Sequence, residues 1–246
     1  GGVEGVIIGK SEIYVYLSQN DKLAFINADD PIQVEKSRSL KIYSFGLNRE
    51  DADVNINSVK ANPFVEVLCA NSTITSHLIG LYNANNLNAA LTIGKYFGVN
   101  DVAIKEALES YIPENNRSQL LTKGTNEIIL DAYNANPSSM AVAVTNFLQL
   151  DKSNKIMILG DMFELGDESE LEHQALVNSL LEENTVQCFF IGSAFYNIKI
   201  EKGNFQFYDT FDSFSHYLRM TKIADSTILI KGSRGMALER TLEFLG

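Results

Sequence analysis

Glu127-Ile128-Ile129-Leu130-Asp131-Ala132-Tyr133-Asn134-Ala135-Asn136-Pro137 reads as a short β-prone run, a polar turn and the start of a helix. Pro137 has the fixed φ of a first helical position, and Asn136 before it offers a capping side chain. A helix is therefore expected to run to about Leu150. The alternation repeats downstream. Lys155–Gly160 (KIMILG), Val186–Gly192 (VQCFFIG), Asn204–Tyr208 (NFQFY) and Ser226–Lys231 (STILIK) read as strands. Helical stretches are expected over Ser169–Leu181, weakly after Gly192, over Thr210–Met220 and over Met236–Leu245. Strands that are apolar almost throughout and alternate with helices imply a parallel sheet covered on both faces. The expected fold is α/β, with a doubly wound sheet from about Ser118 to the end.

Upstream the pattern is mixed. Ser11–Leu17 (SEIYVYL), Leu23–Asn27 (LAFIN), Lys41–Phe45 (KIYSF) and Phe64–Cys69 (FVEVLC) read as strands. Asn86–Phe97 and Asp101–Ser110 read as helices, the second capped by Asn100 and stopped before Pro113. The polar stretch 114–117, next to Pro113, separates the two patterns. It divides the chain into 1–113, a linker 114–117, and 118–246.

Composition narrows the function classes. Hydrophobic residues make up 45% and charged residues 21% of the 246, as in an ordinary globular protein. A net charge of -11 disfavours nucleic acid or an anionic membrane as partner, because phosphates are repelled rather than neutralised. Cys69 and Cys188 stand far apart with no metal or disulfide spacing, which fits a reducing cytoplasm. No apolar run approaches the roughly 20 residues of a membrane span, and Gly1-Gly2-Val3-Glu4 does not open a signal peptide.

Beyond the strand ends, where open α/β sheets bind ligands, stand Asp131, Gly160-Asp161, Gly192 and Lys231-Gly232-Ser233-Arg234. Any one of these is an ordinary polar turn; four together point to a binding face. The Lys231–Gly235 turn offers free N–H groups, a helix start and two cations to an anion. Of the acidic cluster Asp161, Glu164, Asp167, Glu168, Glu170 and Glu172, most members suit a helix N-terminus. Asp161, at the strand end, is placed to receive a substrate ammonium. Glu4–Ser11 mimics a phosphate loop but lacks its first glycine and is followed by a strand-like run, so it is rejected. His77, His173 and His216 show no ligand spacing, and no nucleophile–base pair is legible.

Three blocks carry a family resemblance: Leu130–Met140 (LDAYNANPSSM), Leu159–Gly166 (LGDMFELG) with His173 beyond it, and Lys231-Gly232-Ser233-Arg234 before an Ala/Met/Glu-rich stretch. In this order they resemble the C-terminal, Rossmann-like domain of the Mur ligase family, MurF type. The first half resembles the later part of that family's central ATPase domain. Gly2–Val6 with Lys10–Ile13 resembles the segment bearing a carbamylated lysine, and Asn27–Asp30 its NADD turn. Gly80–Asn86 resembles its adenine-binding segment, with Tyr82 in place of the usual histidine. The resemblance implies an incomplete α/β central domain, with the UDP-sugar domain and phosphate loop outside the chain, and a fragment that does not turn over alone.

It also implies an activity. An ATP- and Mg2+-dependent ligase would join D-Ala-D-Ala to UDP-MurNAc-tripeptide through an acyl phosphate, as a cytoplasmic monomer without nucleic acid or membrane insertion. By resemblance Asn83, Asn86, Arg117 and Asp131 serve ATP. Asn134, Asn136, Asp161, Ser233 and Arg234 serve the dipeptide and the reacting end, and Lys10 is the candidate carbamylated lysine and thereby a magnesium ligand. The alternatives are another amide ligase of the superfamily, such as a MurE or folylpolyglutamate type, or a non-catalytic α/β binding module.

Overall fold

The computed structural model describes residues 2–114 and 116–246, which fall into two compact units divided between Tyr111 and Ile112. In the first unit α1 (Gly2–Gln19) leads into β1 (Leu23–Asn27), α2 (Pro31–Lys36), β2 (Lys41–Leu47), β3 (Val54–Ala61), β4 (Phe64–Cys69) and β5 (Ser72–Ile79). Helices α3 (Ala84–Tyr96) and α4 (Asp101–Ser110) follow. The sheet runs in the order β1-β2-β3-β4-β5, parallel through β3 and antiparallel beyond it. Its core packs Leu87 and Leu91 of α3 and Ile104 of α4 with Phe45, Val54, Ile56, Val65, Val67 and Ile74. Asn100 caps α4 by accepting the Ala103 N–H at 2.9 Å, as its sequence position predicts.

The strand expected over Ser11–Leu17 is instead the second half of α1. Ile7, Ser11, Tyr14 and Leu17 are its half-buried positions, at helical spacing along one face. The β-branched and aromatic residues that suggested a strand lie around them, with Val6, Ile8, Ile13, Val15 and Tyr16 exposed. Composition is only a weak guide to strand or helix, and here the β-prone run is helical. Gly9-Lys10-Ser11 thus lies inside a helix, with Ser11 Oγ donating to Ile7 O at 2.7 Å, and not in a loop that wraps a phosphate.

The second unit contains β6 (Gln119–Lys123), β7 (Asn126–Asp131), α5 (Pro137–Leu148), β8 (Lys155–Gly160), α6 (Ser169–Ser179), β9 (Gln187–Ile191), α7 (Ser193–Asn197), β10 (Phe205–Tyr208), α8 (Phe211–Met220) and β11 (Thr227–Lys231). Its six strands run β10-β9-β8-β11-β7-β6, all parallel except the edge pair β6–β7. This is the expected doubly wound sheet.

Alternate side chains of each strand face opposite layers. Ile128, Leu130, Ile158, Phe189, Ile191, Ile228 and Ile230 pack with Phe211, Phe214 and Leu218 of α8. The other parity (Met157, Leu159, Cys188 and Phe190) is fully buried as well, with Phe195 of α7 set against Phe190 at 5.1 Å. Burying a side chain such as Phe189 contributes roughly 1.5–3 kcal/mol from the area withdrawn from water. The helix expected over Met236–Leu245 is corrected. Arg234–Met236 and Leu238–Phe244 are 3-10 segments, broken by Ala237 in the left-handed region at φ 49°. Among the described residues no helix is long and apolar enough to cross a membrane.

Candidate functional site

Parallel pairing brings the carboxyl ends of β7, β11 and β8 side by side on one edge of the second unit. Register sets Lys231 beside Asp131 on one flank and Leu159 on the other. The Asp131 carboxylate accepts from Lys231 Nζ at 2.6 Å and from the Ser118 N–H at 3.1 Å. Lys231, only 2% exposed, also donates to Asn134 O at 3.1 Å. The cation expected to await an anion is therefore turned inward and neutralised. Asn134 is exposed, its side-chain oxygen accepting the next backbone N–H at 2.9 Å. Asn136 forms a reciprocal capping box with Ser139 at the start of α5.

At the β8 tip the sequence expectation for Asp161 meets a different arrangement. The residue is 4% exposed, and its carboxylate accepts the Ala194 and Phe195 N–H groups at 3.0 and 3.1 Å. Gly192 makes this possible, with φ at 123° and a Cβ position that would lie 2.3 Å from the carboxylate. His173, fully buried, accepts the Met162 N–H on Nε2 at 2.9 Å and so donates from Nδ1 to Ser169 O at 2.6 Å. Ser233 is buried too: its N–H donates to Asp161 O at 3.1 Å and its Oγ accepts the Phe163 N–H at 2.8 Å.

What faces solvent at this edge is a smaller set. The Arg234 side chain is 59% exposed and pairs with Glu239 at 2.9 Å. Phe163 and Tyr133 expose 45% and 42%. Arg117 lays its guanidinium over the Tyr133 ring at 3.7 Å, a cation–π contact that leaves the Arg117 donors available at the rim. Sequence reasoning did not single out Tyr133, nor the inward role of Lys231. An exposed aromatic two residues past a strand-end aspartate was a signal for the first. The second had none, since it depends on inter-strand register.

In the first unit Asn83 is buried, donates to Ile79 O at 2.8 Å and accepts from Asn86 Nδ2 at 3.1 Å. The exposed Asn86 is thereby held at the start of α3. Lys10 projects from α1 beside a groove of about 660 Å³ whose lining includes Val6, Ile7, Ile13, Asp30 and Ile32. Burial, and secondarily the Asp30 carboxylate, push the Tyr14 phenol in this groove above its ordinary value. Asp30 itself caps α2, accepting the Ile32 N–H at 2.9 Å and the Gln33 N–H at 3.2 Å. Among the described residues no three His, Cys, Asp or Glu side chains converge on one point. A carbamylated Lys10 would be a single donor where Mg2+ demands six oxygens, so these residues do not by themselves make a magnesium site.

Comparison with known proteins adds the lineage. Residues 1–94 match the Mur ligase middle domain, and residues 116–234 match the Mur ligase glutamate ligase domain. The UDP-N-acetylmuramoyl-tripeptide–D-alanyl-D-alanine ligase of Bacillus subtilis is 28% identical across 100% of this chain and 55% of its own length. A crystal structure of MurF from Acinetobacter baumannii superposes with a TM-score of 0.79 at 26% identity, covering 98% of this chain and 55% of that one. MurF ligase from Thermotoga maritima, solved in complex with ADP, shares the fold at a TM-score of 0.69 and 22% identity, over 91% of this chain and 52% of that one. The chain thus spans about half the length of the proteins it matches. With both of its units matched by successive domains of one enzyme lineage, and the doubly wound sheet where that lineage has it, the chain belongs to the Mur ligase family.

Proposed function

We propose that this chain is the nucleotide- and amine-binding portion of an ATP-dependent ligase that joins D-Ala-D-Ala to UDP-MurNAc-tripeptide. The observation that carries this reading is end-to-end similarity to proteins named for that reaction, at 26–30% identity across 98–100% of the chain. In the proposed reaction the precursor's terminal carboxylate attacks the γ-phosphorus of ATP, giving an acyl phosphate and releasing ADP. The dipeptide amine then adds to the acyl carbon. The tetrahedral intermediate expels phosphate, and the amine proton leaves to solvent. Mg2+ is proposed to offset the phosphate charge, with a carbamylated Lys10 as the candidate group of this chain that would help hold it.

The proposed roles follow the resemblance to the Mur ligases. Asn86, held by Asn83, and the Arg117–Tyr133 pair with Asp131 serve the nucleotide. Asn134, Asn136 and Arg234 serve the dipeptide, while Asp161 and Ser233, buried among the strand tips, bear on it only through the loops they fasten. Lys10 is the proposed carbamylated lysine; 13C nuclear magnetic resonance in 13C-bicarbonate would show a carbamate carbon that Lys10→Arg removes, and its absence would remove the assignment. The reaction is placed in the cytoplasm, where ATP and nucleotide-linked precursors reside, and the protein is taken to act as a monomer.

Calorimetric titration of the 246-residue chain tests the reading. D-Ala-D-Ala is expected to bind and L-Ala-L-Ala not, and Arg117→Ala is expected to weaken ADP about tenfold, the worth of one charge-assisted contact. Equal response to both dipeptides would defeat the amine assignment. An unchanged ADP affinity in Arg117→Ala would defeat the nucleotide assignment.

A further inference from the structure

The turn Lys231-Gly232-Ser233-Arg234 has the composition of an anion-binding loop, yet the side chains of Lys231 and Ser233 point into the protein. Strand β11 lies between β7 and β8, and its last residue and the turn after it fasten both neighbours. Toward β7, the Lys231 ammonium holds Asp131 at 2.6 Å and Asn134 O at 3.1 Å. Toward β8, Ser233 donates its N–H to Asp161 O at 3.1 Å and accepts the Phe163 N–H at 2.8 Å. The Asp161 carboxylate continues the chain of bonds to the β9 tip through Ala194 and Phe195. Between the two fasteners Gly232 permits a close approach, since a Cβ there would lie 3.1 Å from Gly160 Cα and 2.9 Å from Leu238.

The backbone ladder and the packing on both faces of the sheet hold parallel strands together, but neither reaches the loops beyond the strand ends. These bonds hold the loops after β7 and β8 to a common strand. Lys231 and Ser233 are 2% and 4% exposed, with their bonds directed to the fold, whereas the Arg234 side chain is 59% exposed. Burying a charge is tolerated because it is paired and hydrogen-bonded within the protein.

We propose that Lys231 and Ser233 are positioning residues that set the β7 and β8 tips at one fixed separation, and that Arg234 is the ligand-facing cation of this turn. The loop carrying Asn134 and the loop carrying Phe163 then keep their spacing whichever ligand is bound. The inference rests on the function proposed above only for its choice of probe.

Nuclear magnetic resonance of the labelled chain separates the roles. In Ser233→Ala the Phe163 amide loses its acceptor and is expected to exchange with water about tenfold faster, while Ser233→Thr, which restores an oxygen, returns it toward the native rate. In the native protein the Lys231 ammonium is expected to give a resolved, slowly exchanging signal that added D-Ala-D-Ala does not move. Arg234→Ala is expected to remove the response to the dipeptide while leaving Phe163 exchange unchanged. Native-like Phe163 exchange in Ser233→Ala would overturn the positioning role of Ser233. A Lys231 signal lost in fast exchange, or shifted by the dipeptide more than that of Arg234, would overturn that of Lys231. A native chain silent to the dipeptide counts against Arg234 as the ligand-facing cation and against the substrate reading. The exchange data and the Lys231 signal then still decide the two positioning roles.

Discussion

Cys188 illustrates how one residue's surroundings fix its chemistry. It is fully buried in β9, and burial pushes its thiol from 9.0 up to about 12. The unfolded chain therefore loses this proton at a lower pH than the folded one. Stability from this group is intact below the unfolded value and falls as pH rises from about 9 toward 12, by roughly 1.4 kcal/mol per unit. Denaturant titrations at pH 8 and pH 10 are expected to show a shallower loss in Cys188→Ala than in the native chain; equal slopes would contradict this. Cys69 is buried as well, and its thiol is likewise raised by burial, so neither cysteine is expected to react promptly with a thiol reagent at pH 8 before unfolding. Spacing alone gave no disulfide framework, and the structure leaves both cysteines free. The inward turn of Asp161 was not legible in the sequence, because its partners Ala194 and Phe195 lie more than thirty residues away.

At the scale of elements, local signals succeeded where capping chemistry sets the boundary. Asn136-Pro137 starts α5 and Asn100 starts α4, each at its expected place, and Thr210, expected as the first helical residue, instead caps α8 with a capping box. Asn136→Ala is expected to cost about 1 kcal/mol in thermal or denaturant unfolding, the usual worth of a helix cap. The capping residue also sits in the proposed dipeptide loop, so the same variant is expected to weaken D-Ala-D-Ala binding. A stability loss with unchanged binding would leave Asn136 as a cap alone. Gly192→Ala is a sharper test of the β9 tip. A side chain at φ 123° is strained, and its Cβ would have to displace the Asp161 carboxylate. A loss of about 1–3 kcal/mol is expected from the backbone alone, with loss of protection at the Ala194 and Phe195 amides. Native-like protection there would remove Asp161 from its assigned place. Local reading failed for α1, whose β-prone composition hid a helix, and for β3, β5 and β6, which lacked long apolar runs.

Across the whole molecule, each unit has a hydrophobic cluster of its own, one centred on Ile56, Val65 and Leu91 and the other on Ile158, Phe189 and Phe214. Phe189 rings against Phe214 at 5.3 Å and Tyr217 at 5.4 Å, so Phe189→Ala leaves a cavity at the centre of the second cluster. It is expected to destabilise that unit by about 3–5 kcal/mol. Hydrogen exchange read separately on the two units is expected to show the change in residues 112–246 and little in residues 2–111. An equal loss in both would show that the two cores unfold as one.

The sequence by itself determined the alternation of strand and helix in the second unit, its parallel sheet, most of its helix starts and the motif blocks that resemble Mur ligases. Those properties are written in short windows, as apolar periodicity and capping residues. The tertiary structure alone decided that Lys231 meets Asp131 and that Asp161 and Ser233 spend their hydrogen bonds on neighbouring strand tips. The reason is that register between strands distant in sequence is fixed by packing on both faces of the sheet, which no single window contains.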